Sequence, residues 1–334
     1  MIVDCHVHIS ACTLGGCIMS PRLQGSIPFR FMRWYFEIVG ADEATDRQLE
    51  DLLVRTLDGA ADLIDAAVVL AFDGVYDEAG KLDRPRTHLY VTNDYVMELA
   101  ARHPRVLFGA SVNPYRADAI EELERCVRGG AKLMKWLPIV QGFDPSDPRC
   151  FEFYEALAHH KLPLLCHTGG EKSLPRVDDS LADPMLLVPA LERGVTVIMA
   201  HCGTRSALFE ADYVDTFMRL AKEYEHCYGD TSALCLPTRW HGLRVWEDEE
   251  VRKKLIHGSD WPIIALPPLN RLGMGKSLEL MGESNWMRRD ALIKRTLGFD
   301  DAYWCRAAEV LRITKSGGAA LAPRTGPVGV GTHG

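Results

Sequence analysis

The sequence is short of several things, and each shortage removes a class of protein. It has no basic surplus: 38 lysines and arginines stand against 46 aspartates and glutamates, for a formal net charge of −8, and no run of Lys and Arg offsets this. General nucleic-acid binding needs cations to neutralise phosphates, so no nucleic-acid partner is expected. No apolar stretch approaches the ~18 to 20 residues of a membrane helix, so no membrane span is expected. The opening Met1-Ile2-Val3-Asp4-Cys5-His6 lacks a charged leader region, a long apolar core and a cleavage site. No secretory signal is expected, and the expected location is the cytoplasm. There is no CxxC pair either. The ten cysteines are scattered, and Cys166, Cys202 and Cys227 sit inside apolar runs. They read as buried free thiols in a reducing compartment. Cys12 and Cys17 form the only close pair, and a zinc knuckle there would need two further ligands that are not nearby.

What is present is a repeat of short apolar runs that end in polar residues and turn signals. They are IVDCHVHI (2–9), AAVVLAFD (66–73), VLFGASVNP (106–114), AKLMKWLP (131–138), LPLLCHTGG (162–170), VTVIMAHCG (195–203), CYGDTSAL (227–234) and KLIHGSDWP (254–262). These eight runs read as strands buried on both faces. Stretches of helical period lie between them, over 46–64, 118–130, 151–160 and 205–224. Lys135, His167, His201, Asp230 and Asp260 follow one another at intervals near 30 residues, about one strand-helix unit each. The pattern predicts an α/β fold, a (β/α)₈ TIM-type barrel. An open doubly wound sheet would place a Gly-rich phosphate loop after the first strand; this chain has histidines there. Two stretches exceed the repeat. A long first βα loop (about 10–45) carries the aromatic and basic segment PFRFMRWYFEIVG and is expected to cover the barrel mouth. The end of the chain, rich in Gly, Pro, Ala and Thr, reads as a flexible tail. The expected division is a barrel over 1–314 and a tail over 315–334.

Side chains alternate along a strand, so Asp4, His6 and His8 are predicted to share the inward face of the first strand. A lone HxH has two readings, a metal grip or a pair of packed or surface histidines. The other strand ends decide between them. His167 closes the fifth run, His201 the sixth and Asp260 the eighth. Active sites of these barrels lie at the C-terminal strand ends, and His and Asp suit a divalent ion such as Zn²⁺.

With these residues in place the sequence resembles the amidohydrolase superfamily. Within it, the match is to the amidohydrolase-2 group that contains aminocarboxymuconate semialdehyde decarboxylase and related decarboxylases and hydrolases. The matching landmarks run in order along the chain: DCHVH at the start, VNP at 112–114, GAKLMKWLP at 130–138, LLCHTGG at 164–170, MAHCG at 199–203, YGDTSA at 228–233 and HGSDWP at 257–262. The resemblance implies one divalent metal ion, Zn²⁺ or else Mn²⁺ or Fe²⁺, held by His6, His8, His167 and Asp260. It implies catalytic roles for Asp260 and His201 around a metal-activated water. The chain departs from the group where Lys135-Trp136-Leu137-Pro138 replaces a Lys-Leu-His-Pro type sequence, and where the usual Asn-Ala near the C-terminus is absent.

Four further residues are candidates for contact with substrate. Arg30 and Arg33, in the long loop, are each either a carboxylate clamp or a solvated face of an amphipathic helix. Lys135 is expected to be an ordinary ammonium that pairs with a carboxylate or touches substrate, against the alternative of a carboxylated lysine bridging two metals. Trp261 follows Asp260 at the mouth. His257 has opposite parity to Asp260 and is expected to face the helices. The function expected is hydrolysis of a small amide, ester or lactone. The alternative is non-oxidative decarboxylation of an aromatic or unsaturated carboxylic acid; a non-catalytic metal-binding barrel is a remote third. The expected partner is a small-molecule substrate, with a carboxylate as one form of it, and a homodimer is a further expectation.

Overall fold

The computed structural model describes residues 1–314, so the predicted tail at 315–334 lies outside the described residues. Eight parallel strands form the centre: β1 (Val3–His8), β2 (Ala66–Leu70), β3 (Val106–Gly109), β4 (Met134–Trp136), β5 (Leu164–His167), β6 (Val197–Ala200), β7 (Cys227–Asp230) and β8 (Leu255–Ile256). Each falls within one of the eight apolar runs. Almost every strand residue is buried, as expected for strands with helices on one side and a packed interior on the other.

The strands make two ribbons, β1-β2-β3 and β4 to β8 in order. Backbone bonds outside the regular ladders close both seams. Ala110 N donates to Leu133 O (2.9 Å) and Lys135 N to Ala110 O. Across the other seam Cys5 N donates to His257 O (3.0 Å), Asp260 N to His6 O (2.9 Å) and His8 N to Trp261 O (2.8 Å). The result is the closed barrel that the sequence predicts.

The interior cluster takes Val3, Cys5, Val68, Leu133, Leu165 and Ile198 from successive strands. On β4 and β5 the inward leucine is followed two residues later by Lys135 or His167, as alternation requires. On β1 strict alternation fails. The register with β2 shifts between Asp4 and Val7, and Val3 and Cys5 pack inward while His6, one residue further on, also reaches the site. Asp4 is therefore not on the face of His6 and His8. It accepts from Ser259 N (2.9 Å), with Asp290 and Lys294 as charged neighbours. An irregularity of this kind re-aims side chains along a strand, a device frequent beside active sites.

The helices that position the site are α1 (Ile27–Tyr35), α2 (Glu43–Gly59), α3 (Asn93–Arg102), α4 (Ala119–Arg128), α5 (Phe151–His160), α6 (Val188–Glu192), α7 (Val214–Glu223), α8 (Glu249–Arg252), α9 (Leu269–Met281), α10 (Trp286–Thr296) and α11 (Asp301–Val310). α2 opens with a capping box between Asp42 and Thr45. α7 is shorter than the periodic stretch 205–224 predicts, because Glu210 accepts from Ser206 N (3.0 Å) and Ala207 N (2.9 Å) and folds the first part as a loop. The long first loop carries α1. It is anchored by buried Asp46, which accepts from Cys12 N, Thr13 N and Leu14 N, and by the antiparallel pairing of Ile18–Met19 with Leu89–Tyr90. α1 docks on α10 through Tyr35 and Trp286, whose ring centroids are 4.3 Å apart. Among the described residues no helix is long and apolar enough to cross a membrane.

Candidate metal centre

β1 and the turn after β8 bring three potential ligands to one point. His6 Nε2 and His8 Nε2 are 3.0 Å apart, and Asp260 Oδ1 is 3.3 Å from each. Asp260 occupies the left-handed region at φ 65°, a costly conformation for a non-glycine residue that tends to mark functional sites. Its own N–H, bonded to His6 O, pins it there. His167 ends β5 and is 2% exposed. Its Nε2 is buried without a hydrogen-bond partner, while its Nδ1 lies 4.0 Å from Glu171 Oε2.

This donor set fits a divalent cation. Two imidazole nitrogens face each other beside a carboxylate, and a third imidazole nitrogen stands unpaired in a buried setting. A lone buried polar atom of this kind needs a partner. Protonation states agree. Burial, reinforced by the charge of Lys135, holds His6 well below its ordinary pKa of 6.5. Burial and neighbouring positive groups do the same for His167. Both are thus neutral, the ligand form. Burial works against the Asp260 carboxylate, but the surroundings of His6, His8 and Lys135 keep its pKa below the ordinary 3.8.

Behind these candidate ligands sits a supporting layer that sequence reasoning missed. Asp230 Oδ2 lies 2.6 Å from His6 Nδ1, and Asp230 Oδ1 accepts from His201 N (2.9 Å) and Ser232 N (3.1 Å). Ser232 Oγ bridges His6 Nδ1 (3.0 Å) and His201 Nδ1 (2.8 Å). A carboxylate on the remote nitrogen fixes the His6 tautomer and turns its Nε2 lone pair to the centre. His6, His201 and Asp230 also offer three atoms close enough for an ion, but those polar atoms already satisfy one another or Ser232. Arg239 is a second missed residue. Its guanidinium donates to Gly170 O (2.6 Å) and Thr204 O (2.7 Å), tying the loop after β5 to the loop after β6. Asp230 lay in plain view as a strand-end residue; no local pattern marked Arg239.

The centre opens into a cavity of about 310 Å³, lined among others by His8, His167, His201, Asp260 and Trp261. Three of the four predicted ligands, the predicted catalytic His201 and Trp261 thus line the cavity, while His6 does not. Lys135 does not line it. Its Nζ is 3.1 Å from His6 Nε2, and the side chain is 1% exposed. Arg30 and Arg33 do not line it either. The stripe of α1 turned to the cavity runs through Pro28, Met32 and, just past the helix, Phe36, four residues apart. Arg30 lies off that stripe and is exposed, and Arg33 turns its Nε to Ile38 O (3.4 Å). The long loop covers the mouth as expected, but with its apolar side. His257 faces the helices, as its parity implies, with its ring centroid 4.8 Å from that of Trp304.

Comparison with known proteins places this geometry in context. Residues 3–282 match the amidohydrolase family. A search of curated proteins returns no significant match. Among solved structures, an uncharacterized TIM-barrel protein from Bordetella bronchiseptica superposes with a TM-score of 0.63 at 12% identity, covering 93% of this chain and 98% of that one. A 2,6-dihydroxybenzoate decarboxylase from Rhizobium gives 0.56 at 14% identity, with 93% and 98% covered. A probable 2-pyrone-4,6-dicarboxylic acid hydrolase from Acinetobacter baumannii gives 0.54 at 15% identity, with 93% and 99% covered.

Proposed function

Since the chain belongs to the amidohydrolase family, we propose that it is a metal-dependent hydrolase of a small amide, ester or lactone. The observation that carries this reading is the convergence of His6 Nε2, His8 Nε2 and Asp260 Oδ1, with the unpaired His167 Nε2 beside them, under a cavity that His201 also lines. Three nitrogens and one carboxylate suit Zn²⁺, with Mn²⁺ or Fe²⁺ as alternatives. When bound, the ion supplies Lewis acidity and lowers the pKa of a water towards neutrality.

The chain's own groups do the rest. His6, His8, His167 and Asp260 would hold the ion. Asp260 takes the proton of the attacking water and returns it to the leaving oxygen or nitrogen. The water oxygen bonds the carbonyl carbon as the scissile bond breaks, so the products are a carboxylic acid and an alcohol or amine. His201, whose Nδ1 is held by Ser232, orients the water and stabilises the developing negative charge on the substrate oxygen.

The same residues would serve a decarboxylase of an aromatic or unsaturated acid, so the test separates the two reactions. An active substrate is turned over in ¹⁸O-labelled water, and released carbon dioxide is measured. Label in a product carboxylate is the expected result. Carbon dioxide released without such label would replace hydrolysis with decarboxylation.

A further inference from the structure

We infer that the non-reacting part of the substrate is an uncharged, apolar body, aryl or branched alkyl, and that the cavity rejects a carboxylate other than one held at the metal. This deepens the hydrolase reading and rests on it for the identity of the reacting group.

His8, His167, His201 and Asp260 gather at one end of the cavity, and Ser10, Glu171 and Ser173 are the other polar residues on its lining; the rest is apolar, with Met32, Leu49, Leu137, Leu236, Ile264 and Trp286 coming from separate segments of the chain. Among the described residues no lysine or arginine lines the cavity. Three cations of the site region point elsewhere. Arg239 is committed to the carbonyls of Gly170 and Thr204, Lys135 lies at the metal centre, 3.1 Å from His6 Nε2, and Arg33 bonds Ile38 O. The remaining ionisable group on the lining is an acid, Glu171. It accepts from Ser173 N and Leu174 N. Arg22, Lys172 and Arg176 line an adjoining hollow that shares Glu171, Ser173 and Leu174 with the cavity; there Lys172 pairs with Glu210 (2.9 Å) and Arg176 with Asp179 (2.9 Å), and none of the three reaches the cavity lining. A substrate carboxylate against these walls would lose its hydration with no cation to replace it, and would face Glu171. Burying an unpaired charge on such terms is strongly unfavourable. The volume of about 310 Å³ lies at the small end of the usual range for ligand sites, ~300 to 1,000 Å³.

The test uses matched probes and two readouts. In zinc-loaded protein, kcat/KM is compared for phenyl acetate and para-carboxyphenyl acetate, and for dihydrocoumarin and a carboxylated dihydrocoumarin. In chelator-treated protein, where no ion can capture an anion, calorimetry compares binding of benzyl methyl ketone with its para-carboxy derivative. The neutral ketone should bind at least ~10-fold more tightly, and the neutral esters or lactones should be the better substrates. Met32→Arg, on the covering helix, should narrow or reverse the preference in binding. Equal or tighter wild-type binding of the carboxylated ketone, or failure of both ketones to bind, would overturn the inference. If the neutral ketone binds preferentially while no ester or lactone is turned over, the hydrolase reading fails and the inference about the cavity stands.

Discussion

Two buried polar clusters meet at the seam between β1 and β8, and they differ in what satisfies them. In the first, Lys294 Nζ donates to Asp290 and to Gly258 O (2.8 Å), with Asp4 nearby. All three side chains are buried. Burial disfavours the Lys294 ammonium, but Asp290 outweighs it and raises its pKa. The chain has supplied its own cation. In the second cluster, around His6, His8, His167 and Asp260, Lys135 reaches only His6, and His167 Nε2 has no partner. The first cluster is closed in charge, its acids facing Lys294, although Asp4 Oδ2 and Asp290 Oδ1 lack hydrogen-bond partners; in the second, two imidazole nitrogens and a carboxylate oxygen converge on one point. Burial of charged groups alone therefore does not identify a site. The informative feature is a set of donor atoms aimed at a common point.

Breaking the open cluster at His201, which we propose is not a ligand, should have the largest effect short of losing the ion. His201→Ala should keep its metal while kcat falls by ~10² to 10⁴-fold, the span of a positioned acid-base or charge-stabilising group. Metal content and steady-state kinetics on the same preparation read both. If metal is lost as completely as in His8→Ala, His201 is a ligand.

Breaking the closed cluster should act on stability instead. Lys294→Met leaves Asp290 and Asp4 without their cation and should cost about 3 to 5 kcal/mol by urea unfolding, with metal affinity of the folded fraction retained. A loss of metal affinity at unchanged stability would show that the two clusters are not separable.

The supporting layer should give a smaller effect. Asp230→Asn removes the carboxylate on His6 Nδ1 and should weaken metal binding by ~10 to 100-fold without abolishing it. Competition against a chromogenic chelator measures this.

The smallest effect is a difference in pH slope. His6, His167 and His201 are held below 6.5 chiefly by burial. Below that value the unfolded chain takes up protons before the folded one, so this stability is present above pH 6.5 and lost as pH falls. Asp4 runs the other way: burial raises it from 3.8 to about 7. Its contribution is present below 3.8 and is lost as pH rises towards 7. Asp4→Asn should therefore steepen the rise of stability with pH across the mildly acidic range in metal-free protein. An unchanged slope would contradict the assignment.

The fold was legible because barrel strands are buried on both faces. Each appears as a continuous apolar run, and the turn residues after it mark the mouth. His167 and Asp260 could be placed because strand ends carry function in this architecture. The alternation rule reached His6 and His8 but failed at Asp4, since a register shift depends on neighbouring strands and leaves no local trace. The contact between His6 and Asp230 spans 224 residues, and nothing in either neighbourhood specifies it. Arg30 and Arg33 were candidates because a cationic, aromatic loop suggests an anion clamp. Which face of that helix points inward is set by its docking on Trp286, a tertiary contact.

The most direct test of the account is the metal content of purified protein, measured by elemental analysis alongside activity, for the wild type, His8→Ala, Asp260→Ala and Lys135→Ala. The account predicts one divalent ion per chain in the wild type and in Lys135→Ala. It predicts loss of the ion together with activity in His8→Ala and Asp260→Ala, and recovery of wild-type turnover when the ion is returned after chelation. Full turnover in metal-free wild type would contradict the account, as would two ions per chain that fall away in Lys135→Ala.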